Sequence, residues 1–382
     1  MEKMRDTNRK RQILLTPGPL TTSETVKEAM QLDWGSRDSA FIDMTARIRR
    51  RLVALANGNS DHACVPVQGS GTFAVEATLG TLLSRRTSKL LILINGAYGR
   101  RMARICEKLG QPFALYETAE NMPPDAAHLA TLLRQHGDIT HVAAVHCETT
   151  SGILNPLREI ADIVADANRR LIVDAMSTFG AIPIDLATLK ADAVIASANK
   201  CLEGVPGVGF ALLEKNALAR AEGNSASLSL DLHDQYTYME KTGQWRFTPP
   251  THVLAALDQA LTELDAEGGV KARGERYANN CRVLVDGLTG LGFETFIPAA
   301  LQAPIIVTVR MPADSRFDFQ KLYASLNKEG IVLYPGAVSQ EKSFRIGCIG
   351  QVFESDMTRT LSAIGDILKD MGIPRKGLRP AG

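Results

Sequence analysis

The chain has 382 residues, 45% of them hydrophobic and 22% charged, the balance of a globular protein with room for two cores. Its 43 basic and 42 acidic side chains leave a formal charge of +1, which argues against binding of a nucleic acid or another polyanion through bulk charge. An acidic small molecule would have to be met by a few placed cations. The polar, basic start from Met1 to Gln12 leads into no apolar signal-type region, and no run of about 18 apolar residues follows anywhere. Cys64, Cys106, Cys147, Cys201, Cys281 and Cys348 are scattered, with no CxxC pair or zinc framework. The expectation is a cytoplasmic protein with reduced thiols, no metal, no membrane span and no nucleic-acid partner.

From about residue 63, short apolar runs alternate with segments of helical spacing. The runs 64–67, 90–94, 142–147, 171–174 and 193–197 read as strands buried on both faces. Leu157, Ile160, Val164 and Ala167 recur at helical spacing behind Asn155-Pro156, a cap and first-turn pair. Leu254, Leu257, Leu261 and Leu264 repeat the pattern. Such alternation predicts an α/β domain with a mostly parallel sheet covered by helices. After about residue 265 the order changes to a polar helix (269–288), a strand (305–309), a helix (318–328), short strands (331–334 and 343–347) and an amphipathic helix (354–371). A large domain is therefore expected over residues 25–264. A smaller α+β domain would combine residues 265–382 with residues 1–24, which are too short for a core of their own.

Ligands in such sheets bind beyond the carboxyl ends of the strands. The first predicted strand runs into Gln68-Gly69-Ser70-Gly71-Thr72 and then a helix start. Free backbone N–H groups and the helix dipole there favour an anion, although a glycine turn can equally serve to cap the helix. The turn is neither a Walker loop nor GxGxxG, since Ala74 replaces the third glycine. Asp174 ends another strand, where a carboxylate either caps the next turn or holds a pyridinium N–H. Lys200 follows the next strand, ahead of a glycine-rich turn from Gly204 to Gly209. A lone lysine is ordinarily a surface charge. One that is partly desolvated can lose its proton and form a Schiff base.

Together with Leu15-Thr16-Pro17-Gly18-Pro19, Asn95-Gly96-Ala97-Tyr98-Gly99, His146-Cys147-Glu148-Thr149-Thr150-Ser151-Gly152 and Phe344-Arg345-Ile346-Gly347, these stretches run in order through nearly the whole chain. It resembles the fold-type I pyridoxal-phosphate enzymes, in the branch of alanine–glyoxylate and serine–pyruvate aminotransferases. The resemblance implies a seven-stranded sheet, pyridoxal 5′-phosphate as cofactor and a homodimer with shared active sites. It makes Lys200 the Schiff-base lysine and proton carrier, and Asp174 the partner of the pyridine nitrogen. Ser70, Gly71 and Thr72 become the phosphate cradle, Tyr98 the ring that stacks on the cofactor, and Thr149 a neighbour of its 3-hydroxyl. Thr248, in Trp245-Arg246-Phe247-Thr248-Pro249-Pro250, would reach the phosphate of the neighbouring subunit. Arg345 would bind the substrate's acid group, because a guanidinium fork suits a carboxylate or phosphonate. Trp34 and Arg37 would line the substrate side.

The implied reaction is ping-pong transfer of an amino group from 2-aminoethylphosphonate to pyruvate, giving phosphonoacetaldehyde and alanine. Serine or alanine with glyoxylate is the alternative, and would use the same residues. A lyase or desulfurase of the same fold would need a mobile cysteine, which neither Cys281 nor Cys348 offers. A non-catalytic binding protein is at odds with the intact lysine and aspartate. The basic row Arg47, Arg49, Arg50 and Arg51 reads as a solvated helix face, and His141 and His146 as packed core histidines.

Overall fold

The computed structural model describes residues 12–334 and 341–374. In chain order its strands are β1 (Ile13–Leu15), β2 (His62–Gly69), β3 (Leu90–Ile94), β4 (Phe113–Glu117), β5 (His141–Val145), β6 (Cys147–Glu148), β7 (Ile153–Leu154), β8 (Arg170–Asp174), β9 (Ala191–Ser197), β10 (Gly207–Glu214), β11 (Ile306–Arg310), β12 (Ile331–Leu333) and β13 (Ser343–Gly347). Seven of them form one sheet in the order β2-β10-β9-β8-β5-β3-β4. The five from β9 to β4 are mutually parallel, and β10 runs antiparallel to both β2 and β9.

Side chains alternate between faces along a strand. In β3, Leu91 and Leu93 enter one hydrophobic cluster, while Leu90, Ile92 and Ile94 enter the other. β9 splits in the same way, with Val194 and Ala196 opposite Ala193 and Ile195. Strands that are apolar on both faces need helices on both faces. The helices Ser39–Leu55 and Thr251–Glu267 supply one layer, and Gly71–Leu82 and Ala97–Leu109 the other. Each fully buried leucine or isoleucine contributes about 1.5–3 kcal/mol, so a slip in strand register would be costly on both sides.

A third cluster joins β11 and β13, which pair antiparallel, to the helices Gly269–Leu291, Phe319–Lys328 and Glu354–Asp370. β1 pairs in parallel with β12, Ile13 opposite Ile331, so the N-terminal segment completes this layer. No helix among the described residues is long and apolar enough to cross a membrane.

Several details differ from the sequence reading. The glycine-rich turn after Lys200 is shorter than expected, because Gly207–Glu214 is itself a strand, carried by the apolar run Val208–Leu213. The edge strand β4 was not foreseen, since its half-exposed residues have no continuous apolar signal. Pro156, not Asn155, is the cap of the helix Leu157–Asp166. The Asn155 amide is instead buried, donating to the Val145 carbonyl (2.8 Å) and accepting from Asn95 (2.7 Å). The arginine row is more than a solvated face. Arg47 and Arg51 pair with Asp258, Arg51 also with Asp265, and Arg49 bonds the Cys64 carbonyl and Glu240. Packing of Ser39–Leu55 against Thr251–Glu267 sets Arg47 and Arg51 opposite acids, while Glu240 meets Arg49 from the helix Leu232–Thr242.

Candidate active site

The carboxyl ends of β2, β8 and β9 meet at a cavity of about 400 Å³, walled by Gly69–Thr72, Asp174, Met176, Ser197, Lys200 and Tyr98. A cavity of this size at strand ends is where this architecture binds small molecules. Lys200 lies in the turn between β9 and β10. Its Nζ donates to the Pro17 carbonyl at 2.7 Å, so the N-terminal segment closes over the amine. Gly18 makes that approach possible. It stands at φ +119, and a Cβ there would lie 2.7 Å from Lys200 Cδ and from the Asn199 carbonyl. Burial pulls the lysine ammonium down to about 8, against the opposing pull of Cys201 and Asp174.

Asp174 is buried at the end of β8, and its Oδ1 accepts from the Met176 N–H at 2.9 Å. Burial pushes its carboxyl up to about 6, opposed by that N–H and by the charges of Arg101 and Lys200. The turn Gly69–Thr72 opens the helix Gly71–Leu82. Its N-cap Ser70 makes no capping bond with its side chain, which leaves the hydroxyl available. The Ser197 hydroxyl lines the same cavity, buried and without a partner among the described residues. Arg101 reaches in from the helix Ala97–Leu109, bonding Thr72 Oγ1 at 3.2 Å.

Tyr98 lies on the wall with its phenol beside Thr149; burial raises its pKa and the Thr149 contact lowers it. Thr149 is buried, with Oγ1 3.3 Å from Ser177 Oγ. Its carbonyl accepts from Arg345 Nη1 at 2.9 Å. Arg345 is buried on β13, its Nε without a partner among the described residues and its guanidinium 4.6 Å from the Tyr334 ring centroid. Burial lowers its pKa, while Tyr98, Tyr334 and Glu148 raise it. Between Tyr98 and Arg345 lies Glu148, to which the sequence reading gave no role. Its Oε2 accepts from the Tyr98 N–H (3.1 Å) and its Oε1 from the Thr150 hydroxyl (2.7 Å). Burial pushes this carboxyl up to about 7. Gly96 is the space it occupies: a Cβ there would lie 2.2 Å from Glu148 Cγ. A glutamate ending an apolar run, with a glycine that opens a helix elsewhere in the chain to make room for it, was the available signal.

Three expected residues lie elsewhere in the single chain. Thr248 is exposed, in a neighbouring groove with Gly69, Phe73 and Phe247. Trp34 is half-buried against the large core, its indole N–H without a partner among the described residues, and Arg37 is exposed. None of the three lines the cavity around Lys200; Thr149 and Arg345 do not line its wall either, Thr149 lying beside the Tyr98 phenol and Arg345 bonding the Thr149 carbonyl. His141 and His146 are packed as expected. His146 Nδ1 lies 2.9 Å from Thr178 Oγ1, His141 Nδ1 lies 2.7 Å from Thr140 Oγ1, and burial holds both down at about 4.

The family model for class-V aminotransferases matches residues 30–348. The chain belongs to that family. This class-V aminotransferase is 54% identical over 361 residues to curated proteins named 2-aminoethylphosphonate–pyruvate transaminase from Pseudomonas putida strains F1 and W619, covering 94% of the chain and 98% of each relative. In fold it is similar to pyridoxamine–pyruvate aminotransferase from Mesorhizobium loti (TM-score 0.87, 24% identity, 98% of this chain and 96% of that one). It is similar likewise to an alanine–glyoxylate aminotransferase from Nostoc sp. (TM-score 0.87, 23% identity, 96% and 97%).

The family's cofactor is pyridoxal phosphate, and the residues of the cavity fit it. The orphaned Ser197 hydroxyl and the open first turn beyond Ser70 are donors awaiting an anion. The buried Asp174 carboxylate suits a pyridinium N–H, and the desolvated Lys200 amine suits an aldehyde carbon.

Proposed function

We propose that this aminotransferase moves the amino group of 2-aminoethylphosphonate to pyruvate, giving phosphonoacetaldehyde and L-alanine. The observation that carries the reading is the placement of Arg345. It is a buried guanidinium with an Nε that has no partner among the described residues, close enough to Lys200 for its charge to be felt there, in a chain so similar to transaminases of that name. The amine's reacting carbon is a CH2 without a carboxylate. The acid that orients it must then be the phosphonate, and a guanidinium fork suits its oxygens. Pyruvate's carboxylate would use the same fork.

Pyridoxal phosphate, when bound, supplies an aldehyde carbon that condenses with amines and a ring that takes up a carbanion's electrons. Lys200 would hold that carbon. Ser70, Gly71 and Thr72 would hold the phosphate, Tyr98 would stack on the ring, Thr149 would meet its 3-hydroxyl, and Asp174 would keep its nitrogen protonated. With its amine free, Lys200 Nζ would be the base that takes the proton from the nitrogen-bearing carbon. Its lowered pKa suits that task near neutral pH. The N-terminal turn over Lys200 and the Arg345 layer would shield the site from water.

The enzyme would work as a homodimer in the cytoplasm, with Thr248 of each subunit completing the partner's phosphate site, and Trp34 and Arg37 facing the substrate across the same interface. Exposed Phe73, Phe247 and Leu228 near Thr248 support such an apolar contact. Residues 25–264 would form the large domain, and residues 1–24 with 265–382 the small one; the separate core of the C-terminal layer supports this division. The test is the absorbance of purified holoenzyme given one amine at a time without a keto acid. 2-Aminoethylphosphonate should bleach the lysine-bound cofactor band and pyruvate should restore it. If only serine or alanine bleaches it and glyoxylate restores it, the substrate assignment is wrong.

A further inference from the structure

Three residues beyond Lys200, Glu203 stands at φ +61, a left-handed conformation that strains any residue but glycine. Its N–H donates to the Lys200 carbonyl at 2.8 Å, so its conformation is part of the lysine turn. What holds it there is a buried cluster on the helix Gly269–Leu291. Glu203 Oε1 meets Arg276 Nη2 at 2.7 Å, the Tyr277 hydroxyl at 2.5 Å and Arg273 Nε at 3.8 Å. Glu267 completes the charge balance, 2.7 Å from Arg273 Nη2 and 2.6 Å from Arg276 Nε. Two arginines and two glutamates leave the cluster neutral, and Glu203, Arg273 and Tyr277 are each 1% exposed or less.

From this cluster hydrogen bonds run in two directions. Toward the lysine, Arg273 Nη1 donates to the Cys201 carbonyl at 3.0 Å. Toward the substrate arginine, Arg276 Nη1 donates to the carbonyls of Gly350 (2.6 Å) and Val352 (3.1 Å), in the turn that follows β13. The Tyr277 hydroxyl bridges both sides, donating to Glu203 and accepting from the Gly350 N–H at 3.1 Å. None of these side chains lines the cavity, so they do not act by contact with the reactants. Buried ionic clusters are poor stabilisers compared with apolar packing, and their best use is to specify geometry.

We propose that Glu203, Arg273, Arg276 and Tyr277 form a positioning clamp that sets the span between Lys200 and Arg345. The inference rests on the roles proposed above for those two residues. A substrate held at both ends, by its amine and by its acid, reacts only when that span matches its length. A small error in such a span costs rate steeply, because the reacting atoms leave the near-attack arrangement. A substrate held at the amine end alone is indifferent to it.

The experiment compares holoenzyme with its Tyr277→Phe and Glu203→Gln variants on two amines, 2-aminoethylphosphonate and propylamine. Binding of ethylphosphonate, which engages only the acid end, is measured beside them by calorimetry. The clamp predicts that kcat for 2-aminoethylphosphonate falls about tenfold or more. The slow rate with propylamine and the affinity for ethylphosphonate should both stay within about twofold. A parallel fall with both amines would mean a purely structural role. No change with either, in a variant that keeps its fold and cofactor absorbance, would equally overturn the clamp. If Glu203→Gln fails to fold, Tyr277→Phe decides alone, since it removes one hydroxyl and keeps the ring. Wild-type enzyme that turns over propylamine as well as 2-aminoethylphosphonate would overturn the Arg345 assignment and the clamp with it. A wild type that discriminates and variants that discriminate equally overturn the clamp only.

Discussion

Capture of pyridoxal phosphate by the apoprotein should follow the neutral fraction of Lys200. Burial brings that amine from 10.5 to about 8. At pH 7 a group of pKa 8 is about 9% neutral, whereas one at 10.5 is about 0.03% neutral, so burial raises the reactive fraction about 300-fold. Between pH 6 and pH 9 the neutral fraction climbs about 90-fold and then levels off. Stopped-flow absorbance after mixing apoprotein with cofactor should show that profile, rising about tenfold per pH unit at first and bending near pH 8. Asp174→Asn should move the bend lower, because the Asp174 carboxylate is among the charges that hold the ammonium up. A rate that keeps climbing tenfold per unit to pH 10 would refute the desolvated lysine.

Arg345→Gln removes charge-assisted hydrogen bonds worth about 1.5–3 kcal/mol, which predicts a loss of roughly 10- to 150-fold in kcat/KM for 2-aminoethylphosphonate and a comparable loss for pyruvate. Steady-state assays showing less than a threefold change would remove Arg345 from substrate binding. Glu148 has its carboxyl raised from 4.5 to about 7 on folding. The stability it contributes is therefore present below pH 4.5 and lost as pH rises through 7. Relative to wild type, Glu148→Gln apoprotein should gain stability across that window, by up to about 3 kcal/mol in urea unfolding. A difference between the two proteins that is the same at pH 5 and pH 8 would contradict the raised carboxyl.

The strands with apolar residues on both faces were legible because each reads as a short run of consecutive apolar residues between segments of helical spacing. The ends of those strands then pointed to Asp174 and Lys200. β4 was not legible, since an edge strand buries little, and β10 was masked by the glycines that precede its apolar run. Glu148 and Ser197 were missed for a different reason. Their importance lies in burial, Ser197 without a partner among the described residues and Glu148 as a desolvated carboxyl held by Tyr98 and Thr150, which is a property of the assembled site and not of spacing along the chain. The same holds for Gly18, whose need becomes visible only when the Lys200 side chain fills the space beside it. The roles proposed for Thr248, Trp34 and Arg37 would place them at an interface between subunits, and spacing within one chain carries no sign of such an interface.

The central claim is that nitrogen passes from 2-aminoethylphosphonate to pyruvate on this protein with Lys200 as the base. The direct measurement is mass spectrometry of alanine formed when holoenzyme is given 15N-labelled 2-aminoethylphosphonate and unlabelled pyruvate. Label should appear in alanine in equal amount to the phosphonoacetaldehyde released, and Lys200→Ala should form neither. Label released as ammonia, alanine formed without label, or transfer that survives in Lys200→Ala would contradict it.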